Sequence, residues 1–215
     1  MNHLLPFTIR PMLPGDVPTV VAIDQLSFPA PWQASSYLYE LKHPTRSFYY
    51  TLLKPAPNDP APARQGWFRR LRALLKLAQD SRVIGYVGCR WRPTDAHIST
   101  IAVHPDWRGK GLGELLLLAV IENALAQGGD VVSLEVRPSN PVPQRLYRKY
   151  GFRFIGVNRG YYRDGEDAWL MDVKVNQSAY RARLIELRRA LEARLYFQQE
   201  ISPGDAGKAQ DPTRI

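Results

Sequence analysis

The chain has 215 residues, a formal net charge of +9 at pH 7 and a pI near 9.8. That length can bury one good core, the single Cys89 excludes an internal disulfide framework, and no apolar run reaches the roughly eighteen residues that a membrane-spanning helix needs. The positive charge asks for an acidic partner: nucleic acid, a ribonucleoprotein, a membrane surface or a phosphate-rich cofactor. It does not choose between them.

In chain order, "FTIRPM" reads as a short strand. Gly15-Asp16 then opens a helix to about Ser27, with Val17, Val20, Val21 and Ile23 as its apolar set. "FPAPW" breaks it, and a second helix runs from about Gln33 to Leu41. "SFYYTLLK", "RVIGYVGCRW" and "AHISTIAV" are strands, rich in aromatic and β-branched residues. Cys89 lies in the second of them and reads as inert core. A helix over Leu112 to about Gln127 is capped by Gly128-Gly129. "VVSLEVR" is a strand, "NPVPQRLYRKYGF" a short helix ending at Gly151, and "FRFIGV" and "AWLMDVKV" are strands joined by "NRGYYRDGED". Strands first and then alternating strands and helices predict an α/β domain, over about 7–176, with a mixed central sheet flanked by helices.

Two segments stand outside this scheme. From about Pro55 to Asp80, a proline-rich lead-in precedes Trp67, Leu71, Leu74 and Ala78 at helical spacing, with a basic opposite face. This inserted amphipathic helix, over about 61–79, suits a membrane surface or ribosomal RNA, but packing on its own domain is the favoured reading. The second is a C-terminal helix over about 177–200, with Tyr180, Leu184, Leu187, Leu191 and Leu195 in one stripe. It is expected to dock on the domain rather than form a coiled coil. Residues 201–215 read as a mobile polar tail. The start "MNHLLPFTIRPM" has no apolar segment of signal length, and the expectation is a soluble, cytoplasmic protein. The four histidines fit no zinc spacing, and no metal is expected. No direct signal for nucleic acid appears, and the oligomeric state is left open.

The chemistry centres on "HPDWRGKGLGELLLLAV". The spacing Gly109-x-Gly111-x-Gly113 is neither a P-loop nor the dinucleotide fingerprint. Glycines let backbone N–H groups approach a ligand closely. The following helix start adds unpaired N–H groups and partial positive charge, and Arg108 and Lys110 add full charges. The stretch reads as a phosphate or pyrophosphate site; a plain glycine turn before a core helix stays open from the glycines alone. In "VVSLEVR", Val132, Leu134 and Val136 share one face and Glu135 points to the other. It is either an exposed sheet carboxylate or a functional one.

Taken together, these motifs resemble a known family. "IAVHPDWRGKGLGELLL" is similar to the acetyl-CoA-binding signature of the GCN5-related N-acetyltransferases, the GNAT superfamily. "LEVRPSNPVPQRLYRKYGF", "RGYYRDGEDAWLM" and "FPAPW" resemble its N-terminal protein acetyltransferases of RimI type, which acetylate the terminal alanine of a ribosomal protein. The likeness runs from about Thr8 to Lys174, apart from the insert. It implies a GNAT fold, acetyl-CoA as cofactor and a protein or peptide amino terminus, ribosomal among the candidates, as acceptor.

The resemblance also implies roles. Amides from Arg108 to Glu114 (through Gly109, Lys110, Gly111, Leu112 and Gly113) would wrap the pyrophosphate. Ile101, Ala102 and Val103 would pair their backbone with the pantetheine arm, and Asn140 would contact the cofactor. Glu135 would be the general base and Tyr147 the acid for the leaving thiolate. Tyr161 and Tyr162 would hold the substrate backbone, and Phe28, Pro29 and Trp32 would line the pocket for its first side chain. A modest base suffices for a chain terminus: neutralising an α-amine of pKa about 8 at pH 7 costs about 1.4 kcal/mol, against about 4.6 kcal/mol for a lysine. Two other readings stand beside this one. The first is an acetyltransferase for a small amine or a lysine side chain, and the second is a module that binds acetyl-CoA or RNA without turnover.

Overall fold

The computed structural model describes residues 7–55, 82–92 and 94–200, with the side chains of 197–200 left out. The expected inserted helix and the tail at 201–215 lie outside the described residues. The elements in chain order are β1 (Thr8–Pro11), α1 (Val17–Ser27), α2 (Ala34–Leu41), β2 (Ser47–Leu53), β3 (Val83–Trp91), β4 (Asp95–Val103), α3 (Leu112–Ala126), β5 (Val131–Val136), α4 (Pro141–Lys149), β6 (Arg153–Asn158), β7 (Ala168–Lys174) and α5 (Ser178–Glu200). A short 3-10 turn, Pro14–Asp16, leads into α1. Asp16 is buried there and pairs with Arg10 of β1 at 2.6 Å.

The seven strands form one mixed sheet in the order β1-β2-β3-β4-β5-β7-β6. Only β4 and β5 run parallel. That one parallel step requires a crossover, and α3 supplies it. Helices α1 and α2 cover one face, where Val17, Val20, Ile23 and Tyr37 pack with Tyr49 and Tyr86. Helix α3 covers the other face, with its own core. Its run Leu115–Leu118 is buried all round, because α3 lies between the sheet and α5. A helix apolar on every side needs partners on every side. The stripe on α5 provides one: Leu184, Leu191 and Leu195 are buried in the α3 core, with Tyr180 and Leu187 half-buried against it. Cys89 is fully buried, and burial pushes its thiol up. Among the described residues, no helix is long and apolar enough to cross a membrane.

One glycine is fixed by close approach. A Cβ on Gly88 would lie 2.0 Å from Tyr49 Cε1, inside the ring that anchors the α1–α2 face. Gly88→Ala is therefore expected to destabilise the fold by about 1–3 kcal/mol, the usual cost of overpacking. Urea unfolding with an unchanged midpoint would show that Tyr49 swings aside freely.

Candidate active site

The site begins where two strands part. Parallel pairing of β4 with β5 runs from Asp95↔Val131 to Ile98↔Leu134 and stops there. At the same place β4 carries an extra residue. Gly88 of β3 pairs with Thr100 while the next residue, Cys89, pairs with Ile98, so Ser99 is bulged. Beyond the bulge β4 stays on β3, through Gly85↔Val103, and β5 stays on β7, through Val136↔Trp169. The β5-facing backbone edge of Ile101, Ala102 and Val103 is left open to a cleft between the strands. Ser99 Oγ is buried at the fork with no partner among the described residues. Buried polar groups normally find partners, and here the backbone N–H and C=O groups on that edge face the cleft.

The glycine loop also lines the cleft. Gly109 and Gly111 have φ of 75° and 79°, a region that β-carbons disfavour. Gly111 caps α3, whose first bond is from Leu115 N–H to Gly111 C=O at 3.0 Å. The N–H groups ahead of it have no helical acceptor. Two charges expected at this anion site behave differently from each other. Arg108 lines the cleft, but its Nε donates to Val103 O at 3.0 Å and its Nη2 to Ser27 Oγ at 2.9 Å, so it bolts the loop to β4 and α1. Lys110 lies 4.7 Å over the Trp107 ring and is the one expected site residue that does not line the cleft. Glu114 is buried, and its carboxylate accepts from Lys149 Nζ and Arg194 Nη2, each at 2.5 Å, and from Tyr150 OH at 3.0 Å. Burial pushes Glu114 up, but the bonds from Lys149 and Arg194 outweigh it and hold the carboxyl below its ordinary value.

Glu135 lines the cleft from β5. Val132, Leu134 and Val136 are buried on the opposite face, as the alternation in β5 requires. Its Oε2 lies 2.8 Å from His97 Nε2, with both side chains about one-seventh exposed. His97 Nδ1 lies 3.0 Å from Ser133 Oγ. The tautomer with a proton on Nε2 satisfies all three groups: Ser133 donates to Nδ1 and His97 donates to Glu135. Sequence reasoning missed this histidine, because only the register His97↔Ser133 places it two residues from Glu135.

Tyr147, from α4, is 5% exposed and stacks near Phe152 at 5.7 Å between ring centroids. Burial, and then Tyr162, push its hydroxyl pKa well up. Asn140 caps α4 without a side-chain cap bond, which leaves its amide free to face the cleft. The paired tyrosines line the cleft as well. Tyr161 and Tyr162 meet edge to face at 5.1 Å, and Arg137 lies 3.7 Å above the Tyr162 ring. Burial raises Tyr162 and Arg137 lowers it, with a net rise to about 12. Arg137 also bonds Asp164 at 2.9 Å and Glu166 at 2.5 Å. Bonds from Ser139 and Arg137 hold Glu166 down to about 2. These ties fix the tyrosine loop to the end of β5. The acidic "DGED" run was the signal for them, but it names no partner.

Phe28, Pro29 and Trp32 line the same cleft from the α1–α2 connection. Trp32 N–H donates to Asp24 Oδ2 at 2.5 Å, and the other Asp24 oxygen accepts from Tyr86 OH. Asp24 is thus a buried carboxylate that clamps the connection. The cleft is open to solvent and has a volume of about 2170 Å³, against the roughly 300–1,000 Å³ of a site for one small ligand.

The chain has relatives among known proteins. The chain is 32% identical over 170 residues to a Bacillus subtilis protein named, provisionally, a ribosomal protein bS18-alanine N-acetyltransferase; the match covers 79% of this chain and 96% of that one. It is 40% identical over 94 residues to the Mycobacterium tuberculosis N-alpha-acetyltransferase RimI, covering 41% of this chain and 58% of that one. The crystal structure of the ribosomal-protein-S18-alanine N-acetyltransferase from Escherichia coli shares the fold, with a TM-score of 0.62 at 24% identity over 80% of this chain and 96% of that one. Residues 19–152, which include β4, β5, the glycine loop and α4, match the model of the acetyltransferase (GNAT) family, and the chain belongs to that family.

Proposed function

We propose that this enzyme acetylates the α-amine at the amino terminus of a protein, with acetyl-CoA as donor. The observation that carries the reading is that a single cleft is lined by the glycine loop, the open strand edge, Glu135, Tyr147 and the paired tyrosines. The relatives named as RimI and as bS18-alanine N-acetyltransferases support a protein acceptor, and make a ribosomal protein the first one to test.

The donor set fits acetyl-CoA. The N–H groups from Gly109 to Glu114 suit a pyrophosphate, the open edge of Ile101, Ala102 and Val103 suits an arm that carries amides, and the Asn140 amide is free to add a contact. Bound there, the cofactor supplies an acetyl group activated as a thioester. Glu135 accepts the proton that the acceptor ammonium must lose before its nitrogen can attack. His97 orients that carboxylate by donating to Oε2, which leaves Oε1 for the amine or an intervening water. Tyr147 donates its hydroxyl proton to the departing sulfur. A phenol of ordinary pKa about 10 already holds its proton at pH 7, so the proton is in place when negative charge forms on the sulfur. Tyr161 and Tyr162 grip the peptide backbone, and Phe28, Pro29 and Trp32 wall the first side chain.

Short peptides with free amino termini should react well, while blocked peptides that contain lysine, and free small amines, should react poorly. Efficient acetylation of a lysine in a blocked peptide would overturn the reading. Within the same assay, Tyr162→Ala should raise the peptide KM about tenfold and leave the acetyl-CoA KM nearly unchanged, since removing a ground-state contact raises KM.

A further inference from the structure

Helix α5 contributes one side chain to the cleft among its described residues, Arg194. The helix is firmly placed. Besides its three buried leucines, Tyr180 OH donates to Tyr150 O at 3.0 Å, Arg183 Nη2 donates to Lys149 O at 2.9 Å, and Arg188 pairs with Glu122. This anchoring brings Arg194 against the backbone of the glycine loop. A Cβ on Gly111 would lie 3.0 Å from Arg194 Nη2 and 3.3 Å from Leu191 Cδ1.

The electrostatics of that corner set a requirement. The start of α3 offers N–H groups to an anion, yet Glu114 places a buried carboxylate in its first turn. Lys149 alone would only neutralise it. Arg194 brings a second cation, so the corner carries net positive charge. Only Nη2 of the guanidinium is committed to Glu114, and the side chain is 42% exposed. Arginine has five N–H donors in a planar fork, so Nε and Nη1 keep donors for a ligand in the cleft.

We propose that Arg194 is a phosphate ligand of the cofactor site, contributed by the C-terminal helix and positioned by Glu114. The proposal rests on the acetyl-CoA reading above. It assigns α5 a share in cofactor binding as well as in covering α3.

Calorimetric titration of the full chain, without turnover, tests it. The probes are CoA and acetyl-pantetheine, which lacks the pyrophosphate. Arg194→Gln should weaken CoA about tenfold, as the loss of a charge-assisted hydrogen bond does, and leave acetyl-pantetheine unchanged. The affinity of the wild type for CoA should also fall more steeply with salt than that of the variant. Unchanged CoA affinity, or equal loss for both probes, would overturn the proposal. The double variant Glu114→Gln/Arg194→Gln guards against a variant that merely leaves Glu114 uncompensated. If it binds CoA as tightly as the wild type, Arg194 only neutralises Glu114 and the proposal fails; if it stays weak, the phosphate contact stands. Failure of the wild type to bind CoA at all is a different result, and removes the cofactor reading itself.

Discussion

Glu135→Gln will lower kcat on a free-terminus peptide about a hundredfold at pH 7, the low end of what a positioned general base supplies. The amide keeps the size of the side chain and a hydrogen-bond partner for His97, so Kd for acetyl-CoA should not change. The pH profile separates a base from a packing residue. An α-amine of pKa about 8 arrives mostly protonated at pH 7 and mostly neutral at pH 9. The gap between variant and wild type should therefore narrow as pH rises from about 7 to 9. His97→Ala should share this pattern with a smaller loss, because it loosens the carboxylate without removing it. A Glu135→Gln enzyme with a near-normal rate at pH 7 would remove Glu135 from the mechanism.

Gly111→Val will lower affinity for CoA at least a hundredfold and abolish the rise in Tm that the cofactor should give the wild type. Two effects add at this position. The residue sits at φ 79°, where a β-branched side chain is strongly strained. Its Cβ would also press on Arg194 Nη2 and Leu191 Cδ1. The loop must shift to relieve both, and its N–H groups then no longer converge. At a cofactor concentration of about a hundred times Kd, a native-state ligand adds about 2.7 kcal/mol of stability, so the missing shift is easily measured by thermal melting. Gly109→Ala is the comparison. It has a similar φ of 75° but open space around the added carbon, and its loss should be clearly smaller. Equal CoA affinity in Gly111→Val and wild type would remove the loop from the cofactor site.

Much of this site was legible before any coordinates. The alternation in "VVSLEV" set Glu135 apart from three buried neighbours, and β5 has that pattern. The glycine spacing marked an N–H-rich helix start, and Gly111 caps α3 in the left-handed region. The stripe on α5 marks a docking face, and Leu184, Leu191 and Leu195 are buried against α3. What escaped were pairings between elements. In the sequence His97 stands out only as one of four histidines with no zinc spacing, and its partner Ser133 lies 36 residues away. In the sequence Arg108 and Lys110 read alike as charges for phosphate, but two nitrogens of Arg108 hold the protein's own oxygens, and Lys110 lies over Trp107, outside the cleft lining.

The division follows from what each level can encode. Periodicity and turn chemistry belong to one element, so the chain by itself determined its strands and helices, which face of each is apolar, and where the backbone takes left-handed turns. The contact between two side chains on different elements depends on strand register and on how helices dock, and neither is written at one position. The parting of β4 and β5 beyond Ile98 and Leu134, the His97–Glu135 pair and the reach of Arg194 to Glu114 across 80 residues all belong to that second kind. Only the packed tertiary structure decided them, because each arises when separate elements are fixed against one another by burial of their shared apolar faces.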